Sequence, residues 1–275
     1  MPIPDVQAAD LRRLASFSTR AAGLARSGAR AAGMGAITLS MMAGASVHQR
    51  LSPPAAQRAV FERWMRGWAL AHLRLFGVHP SWRGHTPAAG SGARLVVSNH
   101  RSPLDILLLL QRFGGVVLSR ADLAEWPLLG AAAQRAETIF VDRKNTLSGV
   151  LAVRALRDRL EKQRTVIVFP EGTTSAGDEV RPFQQGAFAA ARGLAVELVP
   201  VGIAYPPGAE FLDESFGQHM LRMAKRPRTP VACVVGQPRP MPSQRRGVSD
   251  GLREEVQALV HEAREVLEGR ASARQ

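Results

Sequence analysis

The stretch Leu95-Val96-Val97-Ser98-Asn99-His100-Arg101-Ser102-Pro103-Leu104-Asp105-Ile106-Leu107-Leu108-Leu109-Leu110 places one histidine and one aspartate at the joint between two apolar runs. The first run, Arg94–Ser98, has the length and β-branched content of a buried strand. The second, Pro103–Arg112, reads as a helix, with Ser102 suited to the N-cap and Pro103 to the first helical position. Asp105 then falls in the first turn, and His100 lies in the short loop before it. A loop that short can fold the imidazole back onto the Asp105 carboxylate. A carboxylate on one ring nitrogen fixes the tautomer and makes the other nitrogen a base toward a hydroxyl. The residues alone fit equally a capped helix with an incidental histidine.

Similar strand–helix units extend from this joint. Strands are predicted at 115–119, 138–142, 165–169, 197–203 and 231–236, and helices at 146–163 and 183–192. A final amphipathic helix runs from 249 to 267. Strands alternating with helices predict an α/β fold with a mixed, largely parallel central sheet flanked by helices. Residues 84–92 and 238–247 read as loops. In Leu198-Val199-Pro200-Val201-Gly202, the proline marks a sheet edge or a bulge.

Upstream, 8–30 reads as a basic helix rich in Ala and Arg. The segment 31–47 carries no charge and is slightly short for a span of about 20 apolar residues, so it reads as interfacial or re-entrant. After Pro53-Pro54, a helical stripe follows of Phe61, Trp64, Met65, Trp68, His72, Leu75 and Phe76. Tryptophans on the apolar face and arginines elsewhere fit a helix in a bilayer interface, with His72 a packed stripe residue. The organisation predicted is an N-terminal helical membrane-associating region (1–79), a central domain (80–240) and a C-terminal helix packed on it (241–275).

The 275 residues carry a formal charge of +13 with only three lysines, so the basicity is arginine's, and it suits phosphate-bearing or anionic partners. Nucleic acid is not among those expected: no recognition motif occurs, and aromatic residues reach only 5%. The single cysteine, Cys233, excludes an intrachain disulfide framework and fits a reducing compartment. The acidic, non-apolar start does not read as a secretory signal. The seven histidines show no metal-ligand spacing, and no metal is expected. Asp213-Glu214 with His219 reads as a solvated helix face.

Two more strand ends carry polar groups. Thr165–Ser175 runs from a buried strand into Pro170-Glu171-Gly172-Thr173-Thr174, where Gly172 permits a tight turn. Ile139–Lys144 ends in Asp142-Arg143-Lys144, and Arg143 has the fork geometry to grip a phosphate or carboxylate.

Together these blocks resemble the glycerolipid acyltransferase family, the group containing bacterial 1-acylglycerol-3-phosphate acyltransferase. The resemblance rests on Asn99-His100 with Asp105, on Phe140–Arg143, on Phe169-Pro170-Glu171-Gly172-Thr173-Thr174-Ser175 and on Val199-Pro200-Val201, in the family's order over residues 80–240. It implies that His100 deprotonates an acceptor hydroxyl and that Asp105 orients it. Arg143, Glu171, Gly172, Thr173 and Thr174 would hold the acceptor headgroup. The alkoxide would attack the thioester of acyl-CoA or acyl-carrier protein with no cofactor and no acyl-enzyme; no Gly-x-Ser-x-Gly elbow occurs. The expected product is phosphatidic acid, made at the cytoplasmic face of the inner membrane.

One position departs from the family. Its usual arginine after Gly-Thr, implied to bind the acceptor phosphate, is Thr174 here. Loss of such a charge-assisted contact costs about 1.5–3 kcal/mol unless something replaces it. Arg143, Lys144 or Arg181 would compensate, or the acceptor differs. Some relatives with Thr here resemble acyltransferases for lyso-ornithine lipid, which is zwitterionic and lacks phosphate.

Overall fold

The computed structural model describes residues 6–87, 92–142, 144–242 and 247–272, with the side chains of 6–19 and 270–272 left aside. Its centre is an eight-stranded sheet. The strands are β1 (Val78–Gly84), β2 (Ala93–Ser98), β3 (Val116–Arg120), β4 (Ile139–Val141), β5 (Thr165–Val168), β6 (Val196–Ala204), β7 (Thr229–Val235) and β8 (Arg239–Pro240). Their order is β1-β7-β6-β2-β5-β3-β4, with β8 pairing β6. All neighbours are parallel except β7 and β8, which run antiparallel to β6. This is the mixed, largely parallel sheet that the strand–helix alternation requires.

Helices cover both faces: α1 (Val6–Leu51), α2 (Pro54–Leu75), α3 (Leu104–Phe113), α4 (Leu129–Arg135), α5 (Thr146–Glu161), α6 (Gly186–Ala191), α7 (Phe216–Lys225) and α8 (Val248–Ser272). On one face α2, α3 and α7 pack on Val96, Ile167, Val199 and Val201. On the other, α5, α6 and α8 cover Leu95, Val97, Val166 and Leu198. Alternate residues of β2 thus enter opposite cores, and all six are buried, as a central parallel strand demands. The helix α8 approaches so closely that a Cβ on Gly202 would lie 2.3 Å from the Leu259 carbonyl carbon.

Several sequence expectations change. Strand β1 was not foreseen, because Pro80 and the flanking polar residues hide its period; it pairs β7 on one side alone, where a proline is tolerated. Pro200 is not at an edge, since β6 is interior. Its carbonyl accepts from Gly236 N at 2.9 Å, so its N–H side faces the gap between β7 and β8, where a missing donor breaks no ladder bond. The predicted helix at 183–192 shortens to α6, and β8 forms inside a predicted loop. Parts of both predicted loops (88–91 and 243–246) lie outside the described residues.

The basic helix and the uncharged segment form one continuous helix, α1. Among the described residues, no helix is long and apolar enough to cross a membrane. Arg30 of α1 is buried and donates to the carbonyls of Ala224 (3.1 Å) and Arg226 (2.5 Å), placing a cation on the C-terminal end of α7. The Trp-bearing face of α2 turns inward. Trp68 Nε1 donates to Thr38 Oγ1 at 3.1 Å and Trp64 Nε1 to His48 Nδ1 at 3.1 Å. Packing on α1 therefore accounts for this stripe. His72 is buried in it, bonded to Thr38 and the Trp68 carbonyl.

Candidate active site

Three adjacent parallel strands, β2, β5 and β6, deliver their carboxyl ends to one spot. Val97 is in register with Val168 and Pro200, and Ser98 with Val201. The residues that follow, His100, Phe169–Glu171 and Tyr205, therefore meet at one sheet edge, where ligands bind in such sheets. Asn99 locks the joint: its amide donates to the Ile203 carbonyl and accepts from Ile203 N, both at 2.8 Å.

His100 Nδ1 lies 2.9 Å from Asp105 Oδ2. The same oxygen accepts from the backbone of Arg101 (2.6 Å) and Ser102 (2.8 Å). Asp105 Oδ1 accepts from the Tyr205 hydroxyl at 2.8 Å. Asp105 is fully buried, and these four donors replace water around it. Because a carboxylate accepts, Nδ1 carries the ring proton and Nε2 the lone pair. The ring stacks on Phe169 with centroids 4.1 Å apart and stays 14% exposed, lining a cavity of about 980 Å³. Burial first, and the Asp105 charge next, push the Tyr205 phenol well above its ordinary range, so it remains a donor.

The Pro-Glu-Gly turn supports the histidine from beneath. Gly172 has φ +75°, which glycine adopts without a Cβ penalty. Glu171 is buried and fully engaged. Its Oε1 accepts from His100 N at 2.7 Å and Arg101 NH1 at 3.0 Å, and its Oε2 from Arg181 N at 3.0 Å. Arg101 is itself 1% exposed and also donates to Ser175 Oγ and to the carbonyls of Gly177 and Glu179. Thr173, Thr174 and the exposed Arg181 line the cavity beside His100. Arg143 lies outside the described residues.

The remainder of the cavity is apolar. Met34, Met41, Phe61, Trp64, Trp68 and Leu107 line it, so α1 and α2 wall a slot suited to a hydrocarbon chain. No group of three or more metal-ligating side chains occurs among the described residues.

The reading of Asp213, Glu214 and His219 as a solvated helix face is overturned for two of the three. His219 is fully buried, with Nε2 2.9 Å from Ser102 Oγ and Nδ1 3.0 Å from Glu214 Oε1. Ser102 Oγ in turn accepts from Leu104 N at 3.3 Å, so His219 braces the start of α3. Glu214 also accepts from Arg222, and that contact above all lowers its pKa to about 2. Arg101, Tyr205 and His219 were not expected in the site. The only usable sequence signal was the single tyrosine of the chain falling just past a buried strand.

Two buried histidines make stability depend on pH. Burial is the main cause lowering the pKa of both His72 and His219. In the unfolded chain each protonates near pH 6.5, so the unfolded state binds more protons below that value. Stability is complete above about pH 6.5 and is lost as pH falls, at up to about 1.4 kcal/mol per pH unit for each site. Melting curves between pH 7.5 and 5 are expected to fall on acidification, and to fall less steeply in a His72→Gln/His219→Gln double variant. A slope unchanged by both substitutions would assign the acid sensitivity elsewhere.

A histidine–carboxylate pair thus stands at the edge of a largely parallel sheet and opens into an apolar slot. The chain belongs to the acyltransferase family, whose model matches residues 78–204. A lyso-ornithine lipid O-acyltransferase of Pseudomonas aeruginosa is 32% identical over 238 residues, covering 84% of this chain and 90% of its own. A 1-acyl-sn-glycerol-3-phosphate acyltransferase of Helicobacter pylori is 32% identical over 114 residues, covering 40% of this chain and 48% of its own. The crystal structure of the Thermotoga maritima 1-acyl-sn-glycerophosphate acyltransferase superposes with a TM-score of 0.71 over 89% of this chain and 97% of its own, at 18% identity. The fold is therefore shared, and the protein is an O-acyltransferase of the lysolipid acyltransferase family.

Proposed function

We propose that the enzyme transfers a fatty acyl chain from acyl-CoA or acyl-carrier protein to the free hydroxyl of lyso-ornithine lipid. The observation that carries the chemistry is the His100–Asp105 pair at the wall of the apolar cavity. His100 Nε2 takes the hydroxyl proton as the oxygen attacks the thioester carbonyl. The tetrahedral oxyanion collapses, the C–S bond breaks, and the imidazolium returns its proton to the departing thiolate. Asp105 holds the tautomer and offsets the imidazolium charge. Glu171 and Arg101 act as positioning residues, because both are used up in internal bonds.

The acceptor reading rests on Thr174, which lines the cavity where the family's usual phosphate-binding arginine would stand. Similarity to the Pseudomonas enzyme extends over 84% of this chain, against 40% for the Helicobacter enzyme. One observation favours 1-acylglycerol-3-phosphate as a second reading: Arg181 lines the same cavity and supplies a cation where the family's arginine is missing. Exposed Leu24, Leu39, Val47 and Leu51 along α1 support docking at a bilayer, the source of the acceptor. Purified protein in mixed micelles, given labelled acyl-CoA or acyl-carrier protein, is expected to acylate lyso-ornithine lipid at least tenfold faster than 1-acylglycerol-3-phosphate. The reverse preference would replace the acceptor and leave the chemistry standing.

A further inference from the structure

We infer that Arg181 and Asp213 form a two-point reader for a zwitterionic headgroup, Arg181 taking its carboxylate and Asp213 its ammonium. This rests on the acceptor reading above and specifies which residues enforce it. Both side chains line the cavity that holds His100.

The loops that carry them are tied to the histidine. Arg181 N donates to Glu171 Oε2, and Glu171 Oε1 accepts from His100 N. Phe211 N donates to the Arg101 carbonyl at 2.6 Å, two residues before Asp213. Ser175 N donates to the His100 carbonyl at 3.1 Å, which ties down the segment between Glu171 and Arg181. These bonds anchor the backbone at Arg181 and close to Asp213.

The other charges of this cavity are spent. Arg120 is paired with Asp122, Glu214 with His219 and Arg222, and Arg135 with Gln49. Among the described charged residues of the wall, Arg181 and Asp213 keep guanidinium and carboxylate without a protein partner. One free cation and one free anion complement an amino-acid headgroup. A phosphate dianion would meet Arg181 and also the repulsion of Asp213. Thr174 removes the second cation that would tip the balance toward phosphate. Asp213 thus acts against the phosphate acceptor as well as for the zwitterionic one.

The test is a substrate–variant cycle on the full chain. The acceptors are lyso-ornithine lipid, its N-acetylated derivative lacking the free ammonium, its methyl ester lacking the carboxylate, and 1-acylglycerol-3-phosphate. Asp213→Asn is expected to lower kcat/KM for lyso-ornithine lipid by about tenfold to a hundredfold, mainly through KM. It is expected to leave the N-acetylated acceptor unaffected and to raise use of 1-acylglycerol-3-phosphate. Arg181→Gln is expected to lower kcat/KM for lyso-ornithine lipid by a similar factor, to leave the methyl ester unaffected and to lower use of 1-acylglycerol-3-phosphate. Melting temperatures of both variants check that the exposed substitutions leave the fold intact. Equal losses on native and modified acceptors, or no loss on any, would overturn the reader. If wild type uses 1-acylglycerol-3-phosphate and not lyso-ornithine lipid, the acceptor reading fails and the reader with it. If wild type prefers lyso-ornithine lipid and the cycle shows no coupling, the reader alone fails.

Discussion

His100→Ala is expected to lower the acyl-transfer rate by about 10²–10⁴-fold, the range a positioned general base supplies. The thioester is already activated, so the missing ingredient for transfer is the alkoxide. Water at neutral pH is a poor substitute inside an apolar slot. The loss should fall on kcat, with KM for the acyl donor little changed, because much of the cavity's apolar lining comes from α1, α2 and α3 and not from His100. Asp105→Asn should cost a similar factor by a different route. An amide presents either its NH2 or its carbonyl to Nδ1, so the tautomer is no longer fixed, and it weakens the bonds from Arg101 N, Ser102 N and Tyr205. Asp105→Asn should therefore also lower the melting temperature. His100→Ala, removing a partly exposed ring, should change it little. Single-turnover acyl transfer with each variant is the measurement, and full activity in His100→Ala would remove the general base from the mechanism.

Glu171→Ala is expected to be the most destabilising single change near the site, by about 3–5 kcal/mol. It strands the Arg101 guanidinium, which is 1% exposed, and leaves His100 N and Arg181 N without their acceptor. Breaking one side of a buried ion pair costs more than the pair contributes, because the remaining charge has no solvent. Activity should fall with stability, since the same carboxylate fixes the His100 backbone. A denaturation midpoint within about 1 kcal/mol of wild type would show that water enters and solvates Arg101. Glu171→Gln keeps the shape and two of the acceptor contacts, and should fall between wild type and the alanine variant.

Much of the fold was legible because it depends on short-range patterns. Strands β2, β3, β5, β6 and β7 and helices α3, α5 and α8 announce themselves by apolar runs and stripes, with a Ser-Pro pair ahead of α3, and these are local signals. Strand β1 carries a weak local pattern and exists through its pairing with β7, 151 residues away in register (Val78 with Thr229). The tryptophan stripe of α2 was legible as a stripe. Its partner was not, because lipid and the face of α1 look alike to an apolar side chain.

The site divides in the same way. His100 and Asp105 are five residues apart across one strand–loop–helix joint, so the sequence offers the pair, while Ile203, Tyr205 and Glu171 hold it in place. Glu171, Tyr205 and His219 reach the same place only because β2, β5 and β6 run parallel and adjacent, and because α7 packs over the start of α3. The sequence by itself determined the alternating α/β plan, the five-residue spacing that lets His100 meet Asp105, and the departure at Thr174. Tertiary structure alone decided that Glu171 turns inward to Arg101, that His219 is buried against Ser102, and that Arg181 and Asp213 face one cavity. The physical reason is that local propensity and turn chemistry act over a few residues, whereas burial and charge pairing depend on which distant segments the sheet order makes neighbours.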